Sequence, residues 1–497
     1  MNFSVLVFNP IMSSRTPSSL ESVSSTLSSS TGWLSSLTDS SFLSSGSNSS
    51  FLTSSSSASY VSSWLPLILS FVTGSIVSYG ILKSSPKLLS TSFLTNKDPN
   101  QTTPSSATSP IVPPPQQVRD GIAGLIGRTP LVRIHSLSLA TGCEIYGKAE
   151  FLNPGGSSKD RFALQLLKDI QSQSLVQSGG TLVEGTSGST GISIALLARA
   201  FHYQCNVVIP DDIAPEKVSL LKYLGANITM VKPLSIVNKD HYVNIAKTIT
   251  MNLNTQSTLS TIVTTLPSSS SSGSSISSSL PPLAYFCNQF ESLSNYRAHY
   301  YTTGPEIWSD TQGKIDAFIM GAGTGGTIAG VGTYLKEVSE NRVQIYLVDP
   351  PGSCLYNRIV HGVAYASQQS ERKLKRHRYD TIIEGVGLDR ITENFQKVIP
   401  ICTSGFTCTD QEAIDMSRYL LLNDGIFIGS STAMNCVGVV KLARKLGPGK
   451  TIVTLLCDSG IRHMGRFWNT EYLHSLGYST DTPILLPNNP ESLNFIA

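Results

Sequence analysis

The chain has 497 residues, enough for more than one domain around a large core. A net charge of +3 gives no basic field for nucleic acid or another acidic partner. None of its eight cysteines forms a CxxC pair, so a zinc centre is not expected and reduced, buried thiols are.

Residues 1–63 are roughly half Ser and Thr, with Arg15, Glu21 and Asp39 as their only charges. Such a tract cannot bury enough apolar surface to fold and reads as disordered. The stretch "WLPLILSFVTGSIVSYGIL", residues 64–82, carries no charge over 19 residues. As a helix it would span about 28 Å, the thickness of a bilayer core. It lies too far from the N-terminus for a signal peptide, and Trp64 and Tyr79 suit the interfaces of a single membrane-spanning helix. Lys83, Lys87 and Lys97 follow it, which by the positive-inside rule leaves the body in the cytosol. Residues 83–117, with "TTPSSATSP" and "VPPPQQ", read as a tether.

From about residue 118 the composition becomes globular, and the catalytic body is expected over 118–480, with 481–497 as a C-terminal tail. "CNVVIP" (205–210), "KIDAFIMG" (314–321), "VQIYLVDP" (343–350) and "TIVTLLCD" (451–458) have the unbroken apolar character of buried strands. "KDRFALQLLKDIQ", "GISIALLARAF" and "EKVSLLKYLGA" carry apolar residues at helical spacing. The alternation predicts an α/β fold with parallel sheets. Between about 252 and 282 the pattern collapses into Ser, Thr, Pro and Leu, predicting a disordered surface insertion. The basic run "ERKLKRHRYD" (371–380) reads as a solvated face.

Four stretches carry chemistry. "NPGGSSKDRFA" (153–163) sets a tight turn directly before Lys159 at a helix start, a constraint that a surface lysine does not need. "GAGTGGT" (321–327) follows an apolar strand and opens a helix; its side-chain-free turn lets backbone N–H groups converge on a phosphate, helped by the helix dipole. It lacks the Gly-Lys-Ser/Thr of a Walker loop and is a poor GxGxxG, so a dinucleotide is the less economical ligand. "EGTSGSTG" (184–191) brings the hydroxyls of Thr186, Ser187, Ser189 and Thr190 to another helix start, suited to a small carboxylate; a plain N-cap would account for only one of the four. "DSG" (458–460) is a third turn after a strand. A lysine for Schiff-base chemistry, a phosphate cup and a carboxylate loop are together the parts of a pyridoxal-phosphate enzyme.

These stretches, with "GLIGRTPLVRI", "NQFE…HYYTTGPEIW", "GTGGTIAG" and "EGVG" in the same order, resemble the cysteine synthase (O-acetylserine sulfhydrylase) and cystathionine β-synthase family. The resemblance covers about Gly121 to Trp468. It implies the tryptophan-synthase-β-like fold (pyridoxal-phosphate fold type II), with two α/β subdomains of mainly parallel sheets. It further implies that Lys159 forms the Schiff base with the cofactor, while Gly323, Thr324, Gly325, Gly326 and Thr327 hold its phosphate and Ser459 faces its ring nitrogen. Thr186, Ser187, Thr190 and Gln289 would take the substrate carboxylate, with Gly385 near the substrate amine. The implied reaction is cysteine formation from O-acetylserine and sulfide, by β-elimination and β-replacement through an aminoacrylate, in a homodimer with no metal. The alternatives are cystathionine β-synthase or cysteine desulfhydrase activity, or an anchored scaffold without catalysis.

Two departures bear on these readings. Ser189 stands where the family carries an Asn that bonds the cofactor's ring oxygen, and Cys457 stands where a Pro precedes Asp458, either as a small buried residue or as a redox switch. The anchored arrangement resembles fungal membrane-anchored, mitochondrial cysteine synthase-like proteins. The mitochondrial outer membrane is therefore the expected location, with the endoplasmic reticulum as the alternative.

Overall fold

A computed structural model describes residues 118–264, 282–366 and 381–497. The expected disordered N-terminus, the segment 64–82, the tether 83–117 and the basic run 371–380 all lie outside the described residues. Among the described residues no helix is long and apolar enough to cross a membrane.

Among the described residues ten strands form two sheets. They are β1 (Leu131–Arg133), β2 (Glu144–Ala149), β3 (Thr181–Gly185), β4 (Gln204–Pro210), β5 (Asn227–Val231), β6 (Ala284–Phe286), β7 (Ala317–Gly321), β8 (Gln344–Asp349), β9 (Cys402–Thr407) and β10 (Thr451–Leu456). The larger sheet runs β1-β2-β10-β7-β8-β9 and the smaller β5-β4-β3-β6. Among the described strands the β1–β2 pairing is antiparallel and the other strand pairings are parallel. The smaller sheet is an excursion of the chain between β2 and β7. β4, β7, β8 and β10 fall where their apolar runs predicted strands.

Burial on both faces explains why those runs do not alternate with polar residues. In β7, Ala317 and Ile319 pack on one side with Tyr419 and Val437, while Phe318 and Met320 pack on the other with Ile328 and Leu335. The helices that shape the site are α1 (Lys159–Gln173), α2 (Ser189–Ala200), α3 (Pro215–Tyr223), α4 (Tyr242–Thr264), α5 (Gly326–Val338), α6 (Asp410–Asp424) and α7 (Ser430–Leu446).

Two expectations about boundaries change. Residues 252–264 belong to α4 rather than to a disordered insertion. Ile245, Ile249 and Leu253 recur at helical spacing and pack on Val183 and Val208, so burial outweighs the Ser/Thr composition. The segment 481–497 is not a free tail either: Leu493 and Ile496 are buried in the core of the larger sheet, where Arg444 donates to the carbonyls of both.

Candidate active site

Lys159 opens α1, and the residues around it explain its constrained turn. The Asp160 carboxylate accepts from the Gly155 N–H (2.5 Å) and from Ser193 Oγ (2.5 Å), folding the Asn-Pro-Gly-Gly bend back onto the helix start. Burial raises the Asp160 pKa, against these hydrogen bonds. Arg161, on the other side, is buried and forks onto Glu150 (2.7 and 2.8 Å) and Glu306 (2.6 and 2.7 Å). Asn153 Oδ1 accepts from Gly127 N, and Asn153 Nδ2 donates to Glu150. The lysine backbone is thus gripped from both sides, while its Nζ reaches only Ser158 Oγ at 3.3 Å.

Lys159 lines a cavity of about 260 Å³ between the two sheets. Thr186, Ser187, Ser189, Thr190, Gln289, Gly323, Thr324, Gly325, Thr327 and Gly385 line the same cavity, so the structure brings together most of the expected set. Thr190 Oγ1 donates to Gln289 Oε1 (2.6 Å), joining the hydroxyl loop to the glutamine.

The expected phosphate cup has the form of one. Gly325, at φ +86°, caps α5, whose first N–H groups have no partners within the helix. A side chain at Gly325 would meet the Phe395 backbone at 2.7 Å, and one at Gly326 would strike Asn295. Asn295 Nδ2 donates to Thr324 Oγ1 (2.9 Å), and Thr392 Oγ1 donates to the Thr324 carbonyl (2.8 Å). Thr327 Oγ1 lies 3.1 Å from His299 Nε2, and burial, with Arg161 and Lys159 nearby, keeps that imidazole neutral. A glycine turn at a helix N-terminus, lining one cavity with a lysine, fits a phosphorylated aldehyde.

Three residues differ from expectation. Gly326 is packed behind the cavity wall rather than lining it. Ser459 does not line the cavity: its Oγ accepts from Ile461 N (3.3 Å) and caps the following turn, while Cys457 and Asp458 form the wall. The reason lies in pairing, since Ser459 bridges back to Ile428 and Asp458 to Ser157. Ser189 meets Arg462 Nη1 at 3.4 Å, and Arg462 Nη2 donates to the Gly155 carbonyl (2.6 Å), tying the hydroxyl loop to the turn before Lys159. Desolvation pushes the Cys457 thiol up to about 11, so it is held as a neutral thiol on the cavity wall.

Sequence reasoning missed a charged cluster on the cavity wall. Lys217 of α3 pairs with Glu384, which Arg466 (3.6 Å) and His463 (3.9 Å) also approach. His463 Nε2 in turn meets Asp458 Oδ2 at 2.9 Å. Burial alone would raise Glu384, but Lys217, His463 and Arg466 outweigh it and hold its carboxyl at about 2. Lys217 belongs to no glycine-rich signature, and Glu384 opens the "EGVG" stretch without any local sign of a partner; their pairing shows only in the fold. Asn435 was also missed as a clip: it accepts from Gly321 N (2.7 Å) and donates to the Leu455 carbonyl (2.9 Å), fixing the ends of β7 and β10.

Comparison with known proteins agrees with this geometry. Residues 122–458 match the family described as "Pyridoxal-phosphate dependent enzyme". "Cysteine synthase 2" of Schizosaccharomyces pombe is 44% identical over 383 residues, spanning 77% of this chain and 90% of that one. "Cysteine synthase 2" of Emericella nidulans is 48% identical over 358 residues, 71% of this chain and 80% of that one. A hydrogen sulfide-producing enzyme from Fusobacterium nucleatum, known from its crystal structure, superposes with a TM-score of 0.56 at 26% identity, covering 70% of this chain and 98% of that one. With a lysine, a glycine turn and a hydroxyl loop around one cavity, the chain belongs to the pyridoxal-phosphate dependent enzymes, within the cysteine synthase family.

Proposed function

We propose that the protein makes L-cysteine from O-acetyl-L-serine and sulfide. The observation that carries this is the lining of one cavity by Lys159, by Gly323, Thr324, Gly325 and Thr327 of the glycine turn, and by Thr186, Ser187, Ser189 and Thr190 of the hydroxyl loop. Pyridoxal phosphate, when bound, supplies the electron sink that labilises bonds at the substrate α-carbon. The cup would hold its phosphate, and Lys159 Nζ its aldehyde carbon. Thr186, Ser187, Thr190 and Gln289 would take the substrate carboxylate through charge-assisted hydrogen bonds. Gly385, at φ +77° with nothing near where a side chain would stand, leaves room for the substrate amine. Displaced by that amine, Lys159 would be the base for the substrate α-proton, whose removal would let acetate leave from the β-carbon and sulfide take its place.

The test is to add O-acetylserine, O-phosphoserine, serine and cysteine separately to the purified holoenzyme and follow its visible spectrum and cysteine output. O-acetylserine should change the spectrum and, with sulfide, yield cysteine; Lys159→Ala should lose both. A response to cysteine with sulfide release, and none to O-acetylserine, would favour desulfhydrase chemistry. No response to any amino acid would favour the scaffold.

Residues 64–82 complete the proposal as a single membrane anchor, with the catalytic body facing the cytosol at the mitochondrial outer membrane. Its support is the uncharged 19-residue run followed by lysines. Alkaline carbonate should leave the protein in the membrane pellet, and extraction into the supernatant would overturn the anchor. Protease treatment of intact mitochondria should remove the catalytic body. The family also supports a homodimer.

A further inference from the structure

Glu184, next to last in β3, is fully buried, and neither carboxyl oxygen meets a donor in hydrogen-bonding geometry. Strand register sets it opposite Val207, on the face of the sheet that carries Leu182 and Cys205. Two titratable thiols face it, Cys205 from β4 and Cys287 just beyond β6, and burial raises both. The polar groups acting on it are the Asn288 and Gln289 backbones and the Gln289 side chain, and burial outweighs them, holding its carboxyl up at about 8. A fully buried carboxyl that its neighbouring donors reach only in poor geometry is costly.

Its neighbours suggest its use. Asn288 adopts a left-handed conformation (φ +46°), a strained geometry for a residue with a side chain, directly before Gln289. Gln289 spans from this turn to the hydroxyl loop, where its Oε1 accepts from Thr190 and its Nε2 donates weakly to the Gly185 carbonyl (3.4 Å). We infer that Glu184 is a positioning residue: its neutral carboxyl leaves the Gln289 amide free for the substrate carboxylate, and its ionisation pulls that amide back and sets a negative charge behind the Thr186–Thr190 loop. This rests on the reading of that loop and Gln289 as the carboxylate site. Affinity for an amino acid then falls as pH rises, because the charge that appears repels the charge being bound.

The experiment titrates full-length holoenzyme with L-serine between pH 7 and 9, reading the visible spectrum, for the wild type, Glu184→Gln, Glu184→Leu and Gln289→Ala. Binding confined to the neutral form would weaken about tenfold over that range for a group titrating near 8. Glu184→Gln should lack this component, while changes from the serine amine remain common to both proteins. Glu184→Leu should likewise lack it. A merely structural role would alter stability and leave the two pH profiles parallel. Coincident profiles for the wild type and Glu184→Gln overturn the inference, and they suffice if Glu184→Leu does not fold. If Gln289→Ala binds L-serine as the wild type does, the carboxylate-site reading fails and the inference with it. If Gln289→Ala binds weakly but the profiles coincide, only the inference fails.

Discussion

Lys159 shows how much of a reactive residue's behaviour is set by its sequence neighbours. Asp160 and Arg161 are both buried, and each is anchored to a different part of the molecule, so the backbone between them has little freedom. The same logic governs Gly325, where a left-handed conformation coincides with close approach of the Phe395 backbone. Gly325→Ala should therefore cost about 1–2 kcal/mol in backbone strain alone, with the clash in addition. Its expected signature is loss of bound pyridoxal phosphate on dialysis, read from the visible spectrum, in a protein whose far-ultraviolet dichroism persists. Retention of the cofactor at wild-type affinity would show that the cup is not where the phosphate sits.

At the scale of elements, the four long apolar strands were legible because strands buried on both faces must be apolar throughout. The helices at 159–173, 189–200 and 215–223 were legible from their spacing of apolar residues. β1, β5, β6 and β9 carry weaker patterns. All four are sheet edges: β5 exposes Asn227 and Met230, and β9 is largely half-buried. Composition misled at α4, whose later half is rich in Ser and Thr yet continues a helix begun on an apolar stripe. The site signatures were legible as glycine and hydroxyl runs at helix starts. Their supports, Asn295 under Thr324 and Arg462 between Ser189 and Gly155, lie far along the chain from the residues they hold.

Across the whole molecule, the buried Lys217–Glu384 pair joins α3, which packs with the smaller sheet, to a loop beside the larger one. Removing one member leaves buried cations uncompensated, so Glu384→Gln should cost about 3 kcal/mol in chemical denaturation. The sign with pH follows from a depressed carboxyl: its contribution is complete above about 4.5 and is lost as pH falls toward 2. The wild type should lose stability on acidification through that window more steeply than the variant, and parallel acid profiles would show that the pair does not couple the two layers. The chemistry class was readable from local motifs alone, because a glycine turn, a hydroxyl run and a lysine at a helix start each owe their properties to adjacent residues. Which carboxyls burial raises, which cations are paired and where Ser459 points were decided only on folding, because burial and charge pairing depend on residues that the chain brings together from distant positions, as with Lys217 and Glu384.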